Sequence, residues 1–105
     1  NLPIIVTSWY RCPELNTRVG SKPTSQHIQG QAVDWICPSF GTPMQVALAL
    51  REQDQFVEYD QMILEHGWIH TSFTIPGIKP RSQVLTLLSG GKYAQGITDL
   101  MGNLA

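Results

Sequence analysis

The 105-residue chain is 42% apolar and only 14% charged, with a formal net charge of −1. This is enough for one hydrophobic core near the lower size limit for unaided folding, and it gives no electrostatic basis for binding nucleic acid or an anionic membrane. No apolar run approaches the roughly 20 residues that span a bilayer, so no membrane span is expected. No basic segment followed by an apolar stretch marks a signal peptide, and Asn1 rather than methionine opens the sequence, as in a fragment or processed chain. Two cysteines, Cys12 and Cys37, are too few for a disulfide framework and too far apart for a paired-thiol zinc motif. Two buried thiols and a disulfide both remain open.

In chain order, the β-branched run over residues 2–8 predicts a strand, placed inside a sheet. Residues 13–19 read as a short helix with Gly20 as its stop, and residues 21–26 as loop. A turn at Gly30 leads into a buried strand over 32–36. Thr42 is the expected N-cap, with Pro43 in the first turn, of a helix running from Met44 to about Gln53. Its apolar positions Val46, Leu48 and Leu50, with Ala47 and Ala49, form a band broad enough to be well buried.

Residues 61–73 contain two apolar runs flanking His66-Gly67, a hairpin signal. A two-residue turn there sets Glu65 opposite Trp68, Leu64 opposite Ile69 and Ile63 opposite His70. Met62, Leu64, Ile69 and Phe73 then share a core face, while Gln61, Glu65, Trp68, His70 and Ser72 share the other. Glu65 and His70 become diagonal neighbours, roughly 7–8 Å apart at the backbone. Residues 82–88 predict a short helix ended by Gly90-Gly91, and residues 96–105 a peripheral turn or tail. The expected fold is α+β: a small, mainly antiparallel sheet with packed helices and a single zinc in a cleft on the sheet face, in one domain over 1–105.

His27 and Asp34 are good zinc ligands, and a turn at Gly30 can bring them together. His70 supplies a third. Two histidines and an aspartate with one open position are the arrangement of a catalytic zinc, whereas structural sites use four protein ligands. Such a zinc lowers the pKa of its water to about 7 and makes it the nucleophile. Glu65 would serve as general base and pass the proton to a leaving amine, and Arg11 would stabilise an oxyanion or hold a substrate carboxylate. Each residue also has a plainer reading. His27 and His70 fit ordinary satisfied histidines, Trp35 and Trp68 fit core positions, His66 fits an exposed turn, Glu65 a surface position and Arg11 a salt bridge. Asp34 is harder to dismiss, because a carboxylate inside an apolar run needs a partner, and a cation is one.

The strings Tyr10-Arg11-Cys12-Pro13-Glu14-Leu15-Asn16, Ser25-x-His27-x-x-Gly30-x-Ala32-x-Asp34 and Trp68-Ile69-His70 together resemble the zinc peptidoglycan peptidases. That family includes D-alanyl-D-alanine carboxypeptidases and phage L-alanyl-D-glutamate endopeptidases. The resemblance runs in order over residues 5–73. It implies one zinc ion held by His27, Asp34 and His70, Arg11 assisting the scissile carbonyl, and Ser25 lining the site; Trp68, on the same hairpin face as Glu65 and His70, is a further candidate substrate contact. It also implies a monomeric enzyme cleaving an amide bond in peptidoglycan stem peptides at the bacterial cell wall, in carboxypeptidase or phage endolysin fashion. Three departures stand out: Gly67 occupies the usual position of the catalytic glutamate, Trp9 replaces a frequent glycine, and the helix that usually precedes the first strand is missing. A catalytically weak relative that keeps zinc for binding or structure is therefore the main alternative. A metal-free binding module of a phage tail or secreted protein is the third.

Overall fold

The computed structural model describes residues 3–9, 31–53 and 58–104. Arg11, Cys12, Ser25 and His27, with the expected helix over 13–19 and loop over 21–26, lie outside the described residues.

Six strands form one sheet: β1 (Ile5–Ser8), β2 (Ala32–Ile36), β3 (Gln61–Leu64), β4 (Ile69–Ser72), β5 (Gln83–Leu87) and β6 (Tyr93–Gln95), in the order β1-β2-β4-β3-β5-β6. All neighbouring pairs are antiparallel except β3 and β5, which are parallel. One helix, α1 (Pro43–Glu52), is present among the described residues. The expected fold, a mainly antiparallel sheet with packed helices, is thus corrected to a six-stranded mixed sheet with a single short helix among the described residues. Residues 82–88 account for much of the difference. Val84 and Thr86 are β-branched and alternate with Leu85 and Leu87, which suits a pleated strand better than a helix. Gly91, at φ 84°, then belongs to the turn into β6 instead of ending a helix. Its N–H donates to the Leu88 carbonyl at 3.0 Å, and the Leu88 N–H donates to Lys92 at 2.8 Å.

The parallel pairing has a specific anchor. Asp60, just ahead of β3, is 5% exposed. Its carboxylate accepts from the Arg81 backbone N–H at 2.9 Å, from Nε at 3.0 Å and from Nη2 at 2.8 Å. The Gln83 N–H donates to the Asp60 carbonyl at 3.0 Å. These bonds hold the start of β5 against the start of β3 and fix the register Gln61↔Gln83.

Helix α1 begins at a capping box: the Thr42 hydroxyl accepts from the Gln45 N–H, and the Gln45 side chain accepts from the Thr42 N–H. The helix buries Val46 and Ala47 in a core that also contains Cys37, Tyr59, Met62, Leu64, Ile69 and Ile97. Ile97 is fully buried, so the stretch after β6 packs on the core instead of trailing as a tail. Thr86 secures it, donating to the Gly96 carbonyl at 2.8 Å and accepting from the Thr98 N–H at 3.0 Å. Phe73, expected in the core, is 41% exposed just past the end of β4. The first strand, expected inside the sheet, is its edge, and Ile5 and Val6 are half exposed. Cys37 is a buried free thiol whose Sγ donates to the Pro3 carbonyl at 3.3 Å.

The Asp60 anchor makes a prediction. Asp60→Ala removes three charge-assisted bonds at a buried position and lowers unfolding stability by about 2–3 kcal/mol. Arg81→Ala keeps the backbone bond to Asp60 and costs less, about 1–2 kcal/mol. Urea unfolding of both variants at neutral pH measures the difference.

Candidate metal and catalytic site

Three neighbouring strands build the site. The β3–β4 hairpin has the register expected from a two-residue turn: Leu64 faces Ile69 and Ile63 faces His70. The Glu65 N–H donates to the Trp68 carbonyl at 3.0 Å and closes the turn. Gly67 sits at φ 106°, a conformation that strains any residue with a Cβ. Side-chain alternation then puts Ile63, Glu65, His70 and Ser72 on the face opposite Met62, Leu64 and Ile69.

Strand β2 pairs with the other side of β4 and sets Asp34 directly opposite His70. Their side chains meet: Asp34 Oδ1 lies 2.9 Å from His70 Nδ1, with the two side chains 11% and 13% exposed. The flanking residues Val33 and Trp35 point to the other face, where the Trp35 indole N–H donates to Thr71 Oγ1 at 2.9 Å and the ring packs against the core. The apolar–polar–apolar order Val33-Asp34-Trp35 is what turns the carboxylate toward the site. Strand β1 adds an irregularity between Val6 and Ser8 that brings Ser8 opposite Asp34.

Glu65 completes the group. One ligand-type atom from each of Asp34, Glu65 and His70 lies within 4.8 Å of the others. Burial pushes the Glu65 carboxyl above its ordinary value, and the Asp34 charge acts in the same direction. The Trp68 hydrogen bond and the positive character of His70 and His66 act against this rise. Two carboxylates and an imidazole gathered in a largely buried position favour a divalent cation, and nitrogen–oxygen donors of this kind suit zinc. A recess of about 270 Å³ at the hairpin turn includes Glu65, His66 and Leu87 in its wall.

Of the residues singled out in the sequence, the structure brings Asp34, Glu65 and His70 together and sets Trp68 against Glu65, its indole N–H donating to Oε2 at 2.7 Å. Arg11, Ser25 and His27 fall outside the described residues. His66 stands apart as an exposed turn residue, its Nε2 lying 3.1 Å from the Leu87 carbonyl. The sequence reading missed two contacts: the Asp34–His70 bond and the Trp68–Glu65 bond. The second was within reach, since the hairpin register already set Trp68 opposite Glu65. The first depends on the pairing of β2 with β4, and no local pattern encodes it.

The raised Glu65 carboxyl has a testable consequence for the metal-free protein. A group that binds its proton more tightly when folded opposes folding once it is ionised. That penalty is absent below the ordinary glutamate range and fully present above the raised folded value. Chelator-treated Glu65→Gln should therefore match the wild type in stability at low pH and gain on it as pH rises through that window. Urea midpoints for the two proteins between about pH 3.5 and about pH 8 check the sign.

Neither the curated proteins nor the solved structures compared with the chain contain a match to it. A family match covers residues 1–72 of the 105, under the description Peptidase M15. This span includes Asp34, Glu65 and His70. The chain therefore belongs to the peptidase M15 family of zinc peptidases that act on peptidoglycan.

Proposed function

We propose that this chain hydrolyses an amide bond in peptidoglycan stem peptides, as a D-alanyl-D-alanine carboxypeptidase-like or endolysin-like enzyme acting at the bacterial cell wall. The observation that carries this reading is the nearly buried Asp34–His70 pair with Glu65 within 4.8 Å, inside a chain of the M15 family. Asp34 and His70, joined by His27 from the motif string, hold one zinc ion. Bound there, zinc activates water and polarises the scissile carbonyl.

The protein's own groups do the rest. Glu65 takes a proton from the attacking water and returns it to the leaving amine, work suited to a carboxyl whose proton affinity burial has raised. Arg11 steadies the charge on the carbonyl oxygen or holds a substrate carboxylate, and Ser25 lines the cleft. The residues over 1–105 act as one monomeric peptidase domain. The turn geometry supports Glu65 as the base: position 67 needs a positive φ, so the usual glutamate position cannot hold a glutamate here without strain. The same glycine leaves a second reading, in which the chain keeps zinc for binding or structure and hydrolyses poorly.

Metal analysis and activity separate these readings. The wild type should carry about one zinc per chain, and Asp34→Ala and His70→Ala should lose it. Glu65→Gln should keep the zinc while its cleavage of soluble peptidoglycan fragments, followed as released amino groups, falls by about 10²–10⁴-fold. A wild type that takes up no zinc at neutral pH would end the metallopeptidase reading. A zinc-replete Glu65→Gln with undiminished cleavage would remove Glu65 as base, and a zinc-replete wild type without cleavage would favour the second reading.

A further inference from the structure

We propose that Trp68 is a positioning residue for Glu65 and not a substrate contact, a proposal that rests on Glu65 being the general base. Three observations carry it. The indole N–H donates to Glu65 Oε2 at 2.7 Å, the length of a charge-assisted bond. The same two residues are joined through the backbone, Glu65 N–H to Trp68 carbonyl at 3.0 Å, so the turn is clamped by main chain and side chain together. Among the described residues, Trp68 is the one hydrogen-bond donor to the Glu65 side chain.

The chemistry follows from the indole. It donates and cannot accept. Oε2 must therefore face it as an acceptor, and the proton that Glu65 takes up lodges on Oε1. A glutamate side chain has several rotatable bonds, and a hydrogen bond at its tip selects among the rotamers they allow. Trp68 removes that freedom and fixes which oxygen does the proton transfer. The edge of the ring that carries N–H is committed to Glu65 and is not available to a substrate.

The test uses the zinc-loaded protein and soluble peptidoglycan fragments. Trp68→Phe keeps an aromatic ring and loses the donor. It should lower kcat by about tenfold or more, with KM within about twofold of wild type and zinc content unchanged. A substrate contact predicts the opposite, a raised KM with kcat kept, and that outcome would overturn the proposal, as would an unchanged kcat.

A spectroscopic readout independent of turnover accompanies it. The chain has three tryptophans and so three indole N–H signals in a ¹⁵N-labelled sample. The Trp68 signal is identified by its disappearance in Trp68→Phe. In Glu65→Gln that signal should move, because its acceptor has lost its charge, while the Trp35 signal stays. An unmoved Trp68 signal would also overturn the proposal. If Glu65→Gln is inactive and Trp68→Phe fully active, the positioning role fails and the base stands. If Glu65→Gln is fully active, the base itself fails.

Discussion

A two-residue turn leaves the β3–β4 hairpin no freedom of register, and the composition of the site depends on that constraint. With His66 and Gly67 at the turn, Ile63 must face His70. Glu65 must then close the turn with Trp68. A slip by one residue would carry Glu65 into the core and expose Met62 and Leu64, which are 0% and 6% exposed. The hydrophobic face and the face that carries the candidate metal group are thus two readings of one alternation. Burial of Met62, Leu64 and Ile69 against α1 and Ile97 stabilises the register, and the register delivers Glu65 and His70 to the opposite side.

The Asp34–His70 pair shows why such a site suits a metal. A carboxylate and an imidazole with little exposure have lost most of their water, and the bond between them is one replacement for it. Adding a second carboxylate nearby raises the negative potential further. A cation is the natural complement, and the M15 match names the kind of enzyme in which that complement is zinc. The Asp60–Arg81 cluster is the contrasting case. It lies at the foot of β3 and β5, and a guanidinium satisfies its carboxylate fully. The Asp60 carboxylate is answered by an arginine, whereas Asp34 faces an imidazole and lies beside a second carboxylate.

Much of this was legible in the sequence. The capping box at Thr42, the hairpin at His66-Gly67 and the strand around Asp34 all follow from local chemistry, and the motif strings carried the family. What local chemistry could not supply was the non-local arrangement. Residues 82–88 were read as a helix, because a short apolar run before two glycines fits either structure, and the parallel partner that settles the choice is β3. Strand β1 was read as internal from its β-branched residues, yet a sheet edge accepts the same residues when another strand, here β2, covers one side only. Asp34 was identified as a ligand candidate, but its direct contact with His70 spans 36 positions in sequence.

That separation orders the assembly of the site in time. Glu65, Trp68 and His70 belong to a single hairpin, and hairpins of this kind form within about 1–10 μs. Asp34 arrives only when β2 docks on β4, a pairing that closes a longer loop than the hairpin does. The hairpin is therefore a half-site waiting for its second half. An ion that binds all these groups together binds only once β2 has docked on β4, so by mass action it stabilises that long-range pairing.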